Sequence, residues 1–292
     1  METNQISLML GIFSAIIGAL TNILAKRVMN FSRTKDFLSL NFLLIFLILA
    51  IFSPLYFEFK CTALSITIIL IVSLVDAVGN YLYFKSFEVC DTITASSILA
   101  LSPVFTLILS LLLQGTYSLR INQTLAVCLT ISGVVLLSRQ IQASPTSHNL
   151  PWKQGNIFKI LLPLGSAFIF GTTIFPVKYL FSQELTNPAT FYMLRAAVIA
   201  ITTFFLVRPS FSWLNQQTFT FITGRAALVL VQFLLLYYAL NAGNPAVVKV
   251  ASDSSPLFVI FLSAIFFQES ITRTKILGSV LVISGLILMS VY

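Results

Sequence analysis

The sequence predicts an all-α, polytopic membrane protein of ten transmembrane helices, arranged as two inverted five-helix repeats. Three observations carry the prediction. Of the 292 residues, 58% are hydrophobic and 9% charged, whereas a soluble domain is about a quarter charged. A bilayer-spanning helix needs roughly 20 mainly apolar residues, and such stretches follow one another with short polar breaks, leaving nothing over for an extramembrane domain. Short patterns in the first half also recur in the second, in the same order and at nearly one offset.

In order, the apolar stretches place spans near 6–28, 37–57, 63–86, 92–114, 121–138, 158–181, 188–207, 217–240, 246–267 and 274–291. The first stays as a span: Met1 to Ser7 carries Glu2 and no Lys or Arg, whereas a cleavable leader opens with a basic region. It reads SAIIGALTNILAKRV from Ser14, and the sixth reads SAFIFGTTIFPVKYL from Ser166. These pair Ser14 with Ser166, Thr21 with Thr173 and Lys26 with Lys178, each 152 residues apart. LSPVFTLILS in the fourth span returns as SSPLFVIFLS in the ninth, so Pro103 pairs with Pro256, 153 residues on. LTISGVVLLS in the fifth returns as LVISGLILMS in the tenth, pairing Gly133 with Gly285. Most connectors are short; Arg139 to Ile157, with Pro145, His148 and Pro151, is the natural midpoint linker. Residues 1–140 therefore form one repeat, 141–157 a linker and 158–292 the other. An odd number of spans per half makes the second repeat enter the membrane from the opposite side, and such repeats can expose a midplane site alternately to each side.

Several segments together resemble the EamA family of the drug/metabolite transporter superfamily. They are FGTTIFPVK at Phe170–Lys178, Arg195 within YMLRAAV, the SSP ending at Pro256, FQES at Phe267–Ser270, and the closing GSVLVISGLILM. The resemblance covers nearly the whole chain, more closely in the second half. In the first half Asn41 stands where Arg195 does in the second, and Thr116 where Glu269 does, so symmetric roles are not expected at those positions. The resemblance implies ten helices around a central cavity, no ATPase, no prosthetic group and cytoplasmic termini. The chain contains no GxxxxGK[ST] phosphate loop.

Ionisable residues inside spans are costly in hydrocarbon and by default mark function. Asp76, Asn80 and Tyr83 share one face of the third span at i, i+4 and i+7, as a substrate-binding or proton-accepting face or as a packing carboxyl and its neighbours. Lys249 and Asp253 stand at i, i+4 just before Pro256, in a functional site or a local salt bridge. Pro103 and Pro256 are hinge candidates, since proline removes a backbone donor and frees carbonyls that can face a cavity. Arg195 and Arg225 sit well inside spans and read as cavity-facing or structurally paired, while Lys26 and Lys178 read as snorkelling to the interface. Tyr81, Tyr83, Tyr237 and Tyr238 are candidates for cavity walls or for an interfacial belt. Gly133 and Gly285 read as points of close helix contact.

The single histidine, His148, and the scattered cysteines Cys61, Cys90 and Cys128 offer neither a metal ligand set nor a disulfide framework. No cofactor is expected, and no His, Cys or paired-carboxylate constellation points to an enzyme. The net charge of +8 has no soluble surface on which to bind nucleic acid, and instead reports topology. Odd-numbered connectors collect Arg33, Lys35, Lys85, Arg208, Arg273 and Lys275 among others, whereas even ones hold Lys60, Arg120 and Lys178. By charge, both termini lie outside the cytoplasm, opposite to what the resemblance implies. The function expected is a secondary transporter of a small polar metabolite in the cell membrane, with the lipid bilayer its immediate partner. Its cavity is expected between spans one, three, four, six, eight and nine. A non-transporting scaffold or receptor is the other reading, and it requires Asp76, Arg195, Arg225 and Asp253 to be paired off.

Overall fold

The computed structural model describes residues 2–29, 32–114, 125–126, 128–133, 135–136, 152–267 and 272–290. It is all-helical, and among the described residues eight spans are long and apolar enough to cross a membrane. In the first half these are built from α1 (Glu2–Met29), α2 (Thr34–Phe52), α3 (Ala63–Val89), α4 (Thr92–Leu99) and α5 (Ser102–Gln114). The second half supplies α6 (Trp152–Thr172), α7 (Ile174–Ser182), α8 (Pro188–Val207), α9 (Gln216–Ala242), α10 (Pro245–Ser252) and α11 (Pro256–Phe267). A last helix, α12 (Arg273–Ser290), is 18 residues long. The fifth predicted span is described only at 125–126, 128–133 and 135–136, which are helical. Thr116, His148, Glu269 and linker residues 141–151 lie outside the described residues.

Three predicted spans are broken rather than continuous. The fourth divides into α4 and α5 at Ala100–Leu101, the sixth into α6 and α7 at Thr173, and the ninth into α10 and α11 at Asp253–Ser255. Each break lies just ahead of a proline, Pro103, Pro176 or Pro256, whose ring cannot accept the preceding helical geometry or donate to the residue four back. Boundaries differ from the sequence reading at α1, which starts at Glu2, at α2, which ends at Phe52, and at α6, which starts at Trp152, inside the expected linker. Pro151 precedes it in the sequence, and proline favours the entry to a helix.

The helix packing follows the internal repeat. α1 lies along α9, and its counterpart α6 lies along α3. Ser14 Oγ donates to the Gln232 carbonyl at 3.0 Å; Ser166 Oγ donates to the Gly79 carbonyl at 2.9 Å. α2 packs on α8, and the two run antiparallel. The start of α2 meets the chain beyond α8, where Ser210 N donates to Asp36 Oδ1 at 2.8 Å. The chain beyond α2 meets the start of α8, where Glu58 N donates to Thr190 Oγ1 at 3.0 Å. That second junction also holds an antiparallel bridge between Phe59 and Thr186, and Lys60 N bonds the Leu185 carbonyl at 2.8 Å.

Lys26 and Lys178 do not snorkel. Lys26 Nζ binds the carbonyls of Phe87 and Cys90 at 2.8 and 2.7 Å, and Lys178 Nζ binds those of Leu240, Asn241 and Gly243 at 2.7–3.2 Å. Both ammonium groups meet the negative end of a helix dipole and the carbonyls that a terminus leaves open. Gly133 and Gly285 stand at close helix contacts, and the structure shows that these join the fifth and tenth spans. A Cβ on Gly133 would lie 2.5 Å from the Gly278 carbonyl oxygen, and one on Gly285 would collide with Thr130 and Ala126. Large apolar side chains such as Phe205, Leu206, Phe261 and Ile265 point away from the bundle, as lipid-facing surface does.

Candidate functional site

A cavity of about 120 Å³ lies between the two halves, walled by residues from both. It is built where the helices are broken. Leu99, Ala100 and Ser102 approach it from the α4–α5 break, Thr173 from the α6–α7 break, and Ser252, Asp253 and Ser255 from the α10–α11 break. A helix interrupted by proline leaves backbone carbonyls without partners, which is tolerable in a membrane only where they are covered by protein or face a polar cavity.

Two arginines dominate the electrostatics. Arg195, 1% exposed, donates from Nε to Asp76 Oδ2 at 2.6 Å. The other carboxylate oxygen of Asp76 accepts from Thr173 Oγ1 at 3.0 Å. The guanidinium carbon of Arg195 lies 5.5–5.9 Å from the ring centres of Phe233, Phe42 and Tyr192, a cation–π arrangement that offsets part of its desolvation. Its Nη1 has no hydrogen-bond partner. Arg225, 2% exposed, is held differently. Its Nη1 donates to Asn41 Oδ1 at 2.6 Å and its Nε to the Thr21 carbonyl at 3.3 Å. The rings of Phe37 and Phe84 lie 5.1 and 5.0 Å away. Among the described residues no carboxylate forms an ion pair with Arg225.

The rest of the wall is polar but mostly satisfied. Tyr83 donates to Asn22 Oδ1, and Asn22 Nδ2 reaches Ser96 Oγ at 3.4 Å. Asn80 Nδ2 donates to the Asp76 carbonyl one turn back at 2.7 Å. Thr21 Oγ1 donates to Gln232 Oε1 at 2.7 Å. Lys249 Nζ sits 3.1 and 3.0 Å from the two carboxylate oxygens of Asp253.

The family model described as the EamA-like transporter family matches residues 5–139 and again residues 157–291. The chain belongs to the EamA-like transporter family. It is thus a multi-pass membrane protein of a transporter family, and the double match accords with the internal repeat. A solved crystal structure covers 97% of this chain, and this chain 95% of it, with a TM-score of 0.67 at 14% sequence identity, a likeness of fold alone. An uncharacterized protein of Methanocaldococcus jannaschii is 38% identical over 77 residues; the match covers 26% of this chain and 56% of that protein.

Asp76, Asn80, Tyr83, Arg195, Arg225, Tyr237, Lys249 and Asp253 all line this one cavity in the EamA-like chain. Pro103 and Pro256 each stand at the start of the half-helix beyond a break. Tyr81 and Tyr238 are instead 41% and 46% exposed and do not line it. The cavity also draws on the second and seventh spans, which the sequence reading left out. Asn41 and Phe42 come from α2 and Arg195 from α8. Sequence reasoning did not single out Gln232, Phe170 or Phe233. The repeat offset carries a signal for Gln232, because it matches Gly79, 153 residues earlier, and the two backbone carbonyls receive equivalent serine bonds.

Proposed function

We propose that the protein is a secondary transporter that moves a small polar metabolite across the cell membrane by alternating access, coupled to protons through Asp76. The carrying observation is the cavity itself: a polar, charged space at the junction of two halves, entered by broken helices from each. Ten helices in two inverted repeats of five are part of the proposal. The antiparallel packing of α2 on α8 and the reciprocal serine bonds of α1 and α6 support it. Inverted repeats that meet at a midplane site can rock about it, opening first one side and then the other. No ATP-binding loop is present in the sequence, so movement is driven by solute or ion gradients.

The scaffold reading has one observation in its favour: the Asp76–Arg195 and Lys249–Asp253 pairs are formed. It does not explain why Arg225 is buried beside a cavity without a carboxylate. Reconstitution decides between the two. In proteoliposomes, uptake of a metabolite should saturate and be driven by a pH gradient. Asp76→Asn strands Arg195 and lowers stability, but the protein that folds should lose the dependence of exchange on the pH gradient. Absence of movement for every metabolite tested, in folded protein, contradicts transport; unchanged pH dependence in Asp76→Asn removes that carboxylate as proton carrier.

A further inference from the structure

We infer that the cargo is a small organic anion, bearing a carboxylate or a phosphate, whose charged group sits between Arg225 and the free Nη1 of Arg195. The inference rests on the transporter reading and names its substrate class. It follows from the charge balance of the cavity. Among the described residues its wall carries three cations, Arg195, Arg225 and Lys249, and two carboxylates, Asp76 and Asp253. Both carboxylates are ion-paired: Asp76 holds Arg195 and Thr173, and Asp253 holds Lys249, with a hydrogen bond to Oδ1 and none to Oδ2. One positive charge is left over, and it lies on Arg225, whose partners are all neutral: the Asn41 side-chain amide, the Thr21 backbone carbonyl and the Tyr83 hydroxyl.

Neutral acceptors and aromatic faces lower the cost of burying a guanidinium, but a counter-charge does far more in a low-dielectric site. An arriving anion supplies that counter-charge. It also finds an unused donor, because Arg195 Nη1 is buried without a partner. The two arginines flank consecutive residues of α2: Asn41 accepts from Arg225, and the Phe42 ring lies against Arg195. A planar guanidinium offers a fork that matches carboxylate and phosphate geometry. An ammonium-bearing cargo meets the opposite situation, for each carboxylate in the wall already carries a cation and the cavity has no negative charge in excess. The apolar part of the cargo packs against Phe170, Phe233 and Tyr237.

The test is thermal unfolding of the detergent-solubilised full chain with four matched probes: benzoate, phenyl phosphate, benzamide and benzylamine. A ligand that binds the folded state raises the midpoint with concentration. Benzoate or phenyl phosphate, each titrated to about 10 mM, should raise the midpoint saturably, and whichever does so names the anion. Benzamide and benzylamine should not. Arg225→Gln should melt cooperatively and lose the shift; Arg225→Lys, which keeps the charge without the fork, should need at least about tenfold more anion. If Arg225→Gln does not fold, the four-probe comparison on the unaltered protein still decides. An equal shift from the amide or amine, a full shift in Arg225→Gln, or no shift from either anion overturns the inference. Stabilisation by benzamide or benzylamine would overturn the anion while leaving transport standing, whereas failed uptake of all solutes would overturn transport and leave anion binding intact.

Discussion

A charged side chain inside a bilayer must be paired, solvated or functional, and the buried residues here divide along those lines. Among the described residues Asp76 and Arg195 form the most deeply buried ion pair, at 2.6 Å. Removing one member of such a pair strands the other, at a cost of about 3–5 kcal/mol. Arg195→Gln should therefore lower stability by about that amount, and adding Asp76→Asn should recover much of it; a double-mutant cycle on chemical or thermal unfolding measures the coupling. None of this pairing was legible in the sequence, because 119 residues separate the partners and single-residue signals say only that each is out of place in an apolar segment. Lys249 and Asp253 could be read as a pair, since i, i+4 spacing brings them together on any helix. Gln232 escaped notice for a related reason. An uncharged amide in an apolar helix looks unremarkable until the fold sets it against Thr21.

At the level of elements, the decisive features are the interruptions and the close contacts. Pro103 and Pro256 were readable as hinges, though not as breaks, from residue type alone, and repetition of the Ser-Pro pattern 153 residues apart marked them as equivalent. The third break, at Thr173 ahead of Pro176, lies within a motif quoted for its family likeness and was read as continuous helix. Proline inside a helix does not always break it, as Pro163 within α6 shows, so sequence alone could not separate the two cases. Pro256→Ala and Pro103→Ala should stiffen these junctions and slow transport several-fold without lowering the melting midpoint, read by uptake rate beside thermal unfolding. The glycine pair makes a contrasting prediction. The Gly133 backbone approaches the Gly278 carbonyl so closely that no Cβ fits, and Gly133→Leu should destabilise the protein by about 1–3 kcal/mol through overpacking. Membrane helices associate through such small-residue contacts because lipid supplies no hydrophobic drive between them.

For the whole molecule, the two halves and the membrane location were legible from span length and the repeat, and the central cavity was implied by the family resemblance. The wall contributed by the second and seventh spans was not, because only the cross-repeat packing of α2 on α8 brings Asn41, Phe42 and Arg195 inward. Orientation can be tested with the native cysteines. Cys61 is exposed in the connector between α2 and α3, and the charge count, with its excess of basic residues on odd connectors, predicts that this side lies outside the cytoplasm, against the orientation the resemblance implies. A membrane-impermeant maleimide should therefore label Cys61 in intact cells; labelling only after lysis reverses the orientation. Cys90 should stay silent, since burial, helped by the neighbouring Asp91 charge, pushes its thiol up to about 12, and the thiolate is the reactive form.

Alternating access requires the two halves to separate at each end in turn, and one end is held by the bridge between Phe59 and Thr186. Opposed residues of an antiparallel bridge lie about 4.5–5.5 Å apart at Cα, within reach of a disulfide. The most direct measurement is solute exchange in proteoliposomes by a Phe59→Cys/Thr186→Cys variant in which the three native cysteines are replaced by serine. Oxidation should abolish exchange and reduction restore it, because the cross-link holds that end shut. Exchange that continues at the reduced rate in fully cross-linked protein would contradict alternating access between the two halves.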